Sequence, residues 1–197
     1  MELAVSSSVL LMLLGAVTLV FQTVMAYHRR TDAQIDLERS LLLTLKTLSR
    51  ECSESSWTSF EVQPDGFVFS TPRDEAGTFL VGPDDEPAWA SLICYSRQTQ
   101  GATDVLVKRV ETFVTPMNTV PEPLTFSPAR DVAWFGSSSL QPRVLQRNVE
   151  HFLVSREKIG DEDGTDVLTI ELGASVGPAD GAENFSLELS TSIRPRN

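Results

Sequence analysis

The sequence lacks the short motifs that mark common catalytic sites. It has no GxSxG, no HExxH and no phosphate-binding loop, and its two histidines are His28 and His151. His28 follows a long apolar segment. His151 alternates with apolar residues in NVEHFLV, which is typical of a strand residue without a catalytic task. Because a nucleophilic side chain needs an adjacent base, we expect a protein that is not an enzyme and uses no cofactor.

Basic residues are also scarce. The chain of 197 residues has 16 Lys and Arg against 27 Asp and Glu, which gives a net charge of -11 at pH 7. These cations are scattered along the chain, whereas phosphate binding needs clustered cations. The composition therefore argues against direct binding of nucleic acid.

Cysteine occurs only as Cys52 and Cys94, and no CxxC pair is present, so the sequence has too few sulfur ligands for a zinc site. Two alternatives are open for this pair. The residues are either buried free thiols, which pack as small apolar side chains, or one disulfide in an oxidising compartment. The sequence does not decide between them, because it does not show whether the two sulfur atoms meet.

Charged residues are missing from 3–27, and this apolar stretch is long enough to cross a hydrocarbon core of about 30 Å. Its Ser and Thr residues allow close packing against other helices. From residue 28 to residue 53 no Pro or Gly breaks the helical pattern, and five residues recur on one face: Leu37, Leu41, Leu45, Leu48 and Cys52. We predict one helix over 3–52, with a transmembrane half in 1–27 and an amphipathic half in 28–53.

Residues 54–197 have the pattern of a β-rich globular domain, with short apolar runs separated by Pro, Gly, Asp and Ser. Eight strands are predicted, at 59–62, 67–70, 89–96, 104–113, 143–145, 150–156, 166–172 and 185–193. QPDG at 63–66 predicts a hairpin turn, and the Pro- and Ser-rich segment 115–142 predicts a long exposed loop. A long helix that covers one face of antiparallel sheet makes the predicted fold class α+β.

One acidic stretch, GDEDGTD, has the oxygen-rich composition of a calcium site. Carboxylates of Asp161, Asp163 and Asp166 are the candidate ligands. The spacing of an EF-hand is not met, because Gly164 comes too early and Leu172 stands where a bidentate Glu is needed. The alternative interpretation is an acidic hairpin turn without a metal.

The order of these elements resembles the type IV pilin superfamily. In pilins a basic leader is cut after a glycine, and the mature chain has a glutamate a few positions before its apolar helix. MELAVSSSVLLMLLGAVTLVFQ is similar to that segment, with Glu2 as the glutamate. FQTVMAYHRRTDAQIDLERSLLLTLKTLSREC is similar to the first helix of J-type pseudopilins and W-type minor pilins, and WASLICYSR, RVLQRNVEHFLVS and LELSTSIRPRN are similar to strands of the same subgroup.

The resemblance also bears on topology in the membrane. Because no basic leader precedes Glu2, we expect Met1 to lie about three residues inside a mature pilin. Without a leader, Arg29 and Arg30 would place the β-rich domain in the cytoplasm, and a basic leader reverses that orientation. The resemblance thus implies a single-pass protein of the bacterial inner membrane, with its β-rich domain extracytoplasmic, that later enters the tip of a pilus or pseudopilus.

The function that the resemblance implies is structural. It is that of a minor pilin of the type IV pilus, or a pseudopilin of type II secretion, that joins other pilins at the filament tip and primes assembly. The helix would exchange membrane lipid for contacts with these pilins, while Glu2 pairs with a neighbour's N-terminal ammonium. Arg29 and Arg30 would contact lipid headgroups or acidic residues of another subunit. The alternative function is a solitary membrane-anchored extracytoplasmic module that binds a ligand with its long loop.

Overall fold

A single unbroken helix begins the structure. The computed structural model describes residues 2–74, 76–158, 166–177 and 184–195, except for the side chains of 2–5, 158 and 166. Helix α1, Glu2–Ser53, has 52 residues, so its length is about 78 Å. The prediction of one helix over 3–52 is confirmed to within one residue at each end.

Two antiparallel sheets follow the helix. The strands are β1 Glu61–Gln63, β2 Gly66–Thr71, β3 Trp89–Gln100, β4 Thr103–Met117, β5 Arg143–Arg147, β6 Val149–Lys158, β7 Asp166–Val176 and β8 Phe185–Ile193. The first five form one sheet in the order β1-β2-β3-β4-β5, and the last three form a second sheet in the order β6-β7-β8. All eight predicted strands are present, and the α+β fold class is confirmed.

The hairpin predicted at 63–66 is the connection between β1 and β2. Gln63 pairs directly with Gly66, which leaves two residues in the turn. Gly66 also lies against the next strand, because a Cβ built on it would stand 2.3 Å from the carbonyl oxygen of Tyr95. Only glycine therefore fits at the start of β2 without moving β3.

The main core lies between α1 and the two sheets. The predicted face of the helix is buried as a whole: Leu37, Leu41, Leu45, Leu48 and Cys52 are each at most 7 % exposed. Both sheets contribute aromatic side chains to this core, and the rings of Phe67 and Phe152 lie 6.2 Å apart across the boundary between the sheets. The amphipathic half of α1 is thus an integral part of the β-rich domain.

A second, smaller core covers the opposite face of the five-stranded sheet. Side chains alternate along a strand, so Val68, Leu92 and Cys94 point away from α1. They pack against Phe135, which is fully buried and belongs to the short helix α2, Val132–Ser137.

The prediction of a long exposed loop over 115–142 is therefore wrong in two respects. Strand β4 continues to Met117, and five apolar side chains of the rest of the segment pack in the second core: Phe126, Val132, Trp134, Phe135 and Leu140. The Arg130 guanidinium nitrogen Nε lies 2.8 Å from the Glu111 carboxylate, and the guanidinium carbon lies 4.0 Å from the Trp134 ring centre. A Pro- and Ser-rich composition does not reveal that an aromatic side chain within it fits an apolar sheet face.

Candidate functional site

The N-terminal part of α1 projects away from the β-rich domain. Within Val9–Tyr27 the large apolar side chains are 44 to 76 % exposed. The most apolar window of 18 residues in α1 has a mean hydropathy of 2.3 and none of it is buried. We call residues 6–27 the apolar half of α1. Its length and composition suit a single membrane span or a signal anchor.

The assembly residues predicted from the sequence lie along this part of the helix. Glu2 is the first residue of α1, and its side chain is outside the described part of the structure. Arg29 and Arg30 are exposed at the end of the apolar half, and neither forms an ion pair with any described residue. The side chains of both arginines are thus accessible to headgroups or to another chain.

A buried polar cluster attaches the other end of α1 to the five-stranded sheet. Glu51 accepts a hydrogen bond of 2.5 Å from the Tyr95 hydroxyl and two, of 2.7 and 2.8 Å, from the Lys108 ammonium. The side chains of Glu51 and Lys108 are only 9 % and 15 % exposed. We call Glu51, Tyr95 and Lys108 the polar junction. It holds α1 in one position on the sheet, because any shift of the helix would leave a buried charge unpaired.

The strand register explains why the junction forms. Tyr95 of β3 pairs directly with Lys108 of β4, so the two side chains lie side by side on the face that α1 covers. Sequence reasoning missed this cluster. The sequence indicates only one member of it: Glu51 lies three residues after the buried Leu48 and therefore on the core-facing side of the helix.

Tyr95 is neutral within this junction. Burial, and then the neighbouring Glu51 carboxylate, raise the pKa of the Tyr95 hydroxyl well above its usual range. The protonated hydroxyl is the form that donates to Glu51. The junction therefore contains one ion pair and one neutral donor.

Of the two alternatives that the sequence left open for the cysteines, the structure has the free thiols. Cys52 belongs to the main core beneath α1, and Cys94 belongs to the second core on the opposite face of the sheet. The alternative of a disulfide is thus not the one observed, because β3 turns Tyr95 toward α1 and its neighbour Cys94 away. Both thiols pack as small apolar side chains.

Because the thiols are buried, we expect the free energy of unfolding to fall as the pH becomes alkaline. Burial raises the pKa of Cys94 from 9.0 to about 12. As the pH rises, the Cys94 thiol therefore loses its proton in the unfolded state before it does so in the folded state. The contribution of Cys94 to stability is complete below pH 9 and is lost toward pH 12. In urea unfolding, we expect Cys94→Ala to lose less stability than the unsubstituted protein between pH 8 and pH 11. Equal losses in the two proteins would contradict this.

The remaining candidates are not drawn together into a site. The His151 ring packs over Gly173 of the intervening strand β7, and its Nε2 lies 3.2 Å from a Glu188 carboxylate oxygen on β8. His28 is exposed on α1. Asp161 and Asp163 lie outside the described residues, as does the side chain of Asp166. Among the residues that the structure describes, no group of three or more His, Cys, Asp or Glu side chains could hold a metal ion.

Comparison with known proteins gives no relative for this chain. No family model, no curated protein and no solved structure matches it. The features that bear on function are therefore those of the chain itself: the apolar half of α1, the polar junction and the β-rich domain.

Proposed function

We propose that the protein is a structural subunit of a filament and that the apolar half of α1 packs against helices of other subunits. The observation that carries the proposal is the contrast within one helix. Residues 37–52 bury their apolar face in the β-rich domain, whereas the apolar window in the N-terminal part is not buried at all. An apolar surface of this size is stable only in lipid or against protein.

The class of subunit that fits best is a minor pilin of the type IV pilus or a pseudopilin of type II secretion. The support is the order of elements: an N-terminal apolar helix, an amphipathic continuation and an antiparallel β-rich domain packed on it. Before assembly the apolar half lies in the inner membrane. On assembly it exchanges lipid for the helices of other pilins at or near the filament tip, with its Ser and Thr residues allowing close approach.

Rigidity is the second argument for a structural role. Helix α1 runs without interruption from the apolar half to the polar junction. A force or displacement applied to the apolar half therefore reaches the sheet directly. A solitary binding module has no use for such a coupling, since a flexible linker would tether it equally well.

Glu2 sets the register of the proposed packing. Inside a bundle of apolar helices an unpaired carboxylate is expensive, and pairing with a neighbour's N-terminal ammonium removes most of that cost. The pairing is satisfied at only one axial position of the helix. Arg29 and Arg30, at the other end of the apolar half, lie at the level of headgroups or of acidic residues on another subunit.

The proposal is tested by photo-crosslinking in the native membrane. A photoreactive amino acid at Leu13, which is 58 % exposed, is expected to give adducts with proteins that themselves carry an N-terminal apolar helix. Glu2→Ala is expected to lower the adduct yield by about fivefold or more, because the partner's ammonium loses its counter-charge. Adducts are identified by mass spectrometry.

The matched control is Glu38→Ala, which removes an exposed carboxylate from the amphipathic half of the same helix. It is expected to leave the yield unchanged, and both variants are expected to keep the circular dichroism of the β-rich domain. The proposal is wrong if Leu13 gives no adduct with such a protein, or if Glu2→Ala leaves the yield as it was.

A further inference from the structure

An open cleft of about 440 Å³ lies beyond the end of α1, on the side of the five-stranded sheet that the helix covers. The last turn of α1 forms one wall and the start of β5 another, and a third is formed by Thr71, Arg73, Asp74, Ala76 and Gly77. Its floor includes Ile93 of β3 and Val110 of β4. A cleft of this volume accommodates a small molecule or one or two residues of a peptide.

The charge of the cleft is opposite to that of the chain. Four of the 16 basic side chains border it, although the whole chain carries a net charge of -11: Arg50, Arg73, Lys108 and Arg143. Two of these have carboxylate partners, since Lys108 pairs with Glu51 and Arg73 with Glu54. Arg50 and Arg143 are exposed, and neither forms an ion pair within the described part of the chain.

The net charge around the cleft indicates which kind of anion it would bind. Among the described residues, three carboxylates stand against these four cations: Glu51 and Asp74 border the cleft, and Glu54 is the partner of Arg73. This leaves one net positive charge on the described groups. The C-terminal end of α1 adds a partial negative charge of about half a unit. A singly charged carboxylate therefore comes closer to neutralising these groups than a phosphate group with about two negative charges.

The floor of the cleft indicates the chemical nature of the group that bears the carboxylate. Val110 is partly buried and presents aliphatic surface to the cleft, whereas Ile93 is 4 % exposed and adds little. An aliphatic stem would pack against that surface, and the planar guanidinium groups of arginine bind carboxylates through two parallel hydrogen bonds.

We propose that this cleft binds a carboxylate on an aliphatic stem and that Arg50 and Arg143 supply the charge that binds it. The exposure of both arginines favours a Glu side chain of a partner protein over an enclosed metabolite. The inference goes beyond the proposed function, because the apolar half of α1 takes no part in it. Its failure would leave the helix-packing proposal untouched.

The test is a titration of the full chain in detergent micelles, followed by NMR of the arginine Nε–Hε groups at constant ionic strength. The probes are the peptides acetyl-Ala-Glu-Ala-amide and acetyl-Ala-Gln-Ala-amide, together with butyrate and inorganic phosphate. We expect the Glu peptide to bind at least about tenfold more tightly than the Gln peptide, because the ligand's charge strengthens both hydrogen bonds.

Two double variants are compared, and each removes one positive charge from α1 and one from β5. Arg50→Gln combined with Arg143→Gln is expected to weaken binding of the Glu peptide by about tenfold or more. Arg39→Gln combined with Arg147→Gln, two exposed arginines of α1 and β5 that do not border the cleft, is expected to leave it within about twofold.

Each outcome has a definite meaning. If the Glu peptide binds more tightly than butyrate, the ligand is a side chain of a partner protein. If the two bind equally, the site is supported and its ligand is a small free carboxylate. Equal affinity for the Glu and Gln peptides overturns the proposal. So does tighter binding of phosphate than of either carboxylate, or an unchanged affinity in the Arg50 and Arg143 double variant.

Discussion

Replacing Lys108 with methionine is expected to lower the free energy of unfolding by about 3–5 kcal/mol. The substitution keeps much of the aliphatic stem and removes the ammonium that neutralises Glu51. The Glu51 side chain is only 9 % exposed, so its carboxylate would remain buried with the Tyr95 hydroxyl as its one remaining partner in the junction. The measurement is urea unfolding of the full chain in detergent micelles, followed by tryptophan fluorescence.

Two further variants separate the buried charge from general effects of the substitution. Lys46→Met removes an exposed lysine of α1 and is expected to change stability by no more than about 0.5 kcal/mol. Glu51→Gln combined with Lys108→Met is expected to recover most of the loss, because no unpaired charge remains and the amide oxygen still accepts from Tyr95. A double variant as unstable as Lys108→Met alone would show that the ion pair is not the cause.

Gly66→Ala is expected to destabilise the protein by about 3 kcal/mol. The added Cβ would lie 2.3 Å from the Tyr95 carbonyl oxygen and 2.9 Å from the Ser96 Cα. Both are backbone atoms, so relief requires β2 and β3 to move apart where their pairing begins. The loss is measured by thermal unfolding, with circular dichroism in the far ultraviolet.

Gly136→Ala is the matched control for this substitution. A Cβ there would meet nothing closer than 3.9 Å, at the Gln98 amide nitrogen. Because Gly136 lies within α2, alanine is expected to be neutral or to stabilise the protein by up to about 1 kcal/mol. The steric explanation fails if both glycine variants change stability by the same amount.

The elements were predictable from the sequence because each has a local pattern. The recurrence of Leu37, Leu41 and Leu45 at helical spacing identified the buried face of α1, since the helical period decides which side chains share a face. The alternation in DVLTIEL and FSLELSTSI located β7 and β8 in the same way. The long charge-free segment, by its length and composition, identified the part of α1 that the domain leaves uncovered.

The sites were not predictable in this way, because they combine residues that are distant in the chain. The polar junction joins Glu51 to Lys108, and Arg50 and Arg143 border the same cleft. No local period relates such pairs; the register of β3 with β4 and the position where α1 ends bring them together.

The sequence by itself determined the length of α1, its division into an apolar and an amphipathic half, and the eight strands. The tertiary structure alone decided the state of the cysteines, the packing of α2 on the sheet and the charge of the cleft. The physical reason is that helical and strand periods are set by backbone geometry within a few residues. Which faces meet is set instead by the burial of apolar surface and the pairing of charges across the whole chain.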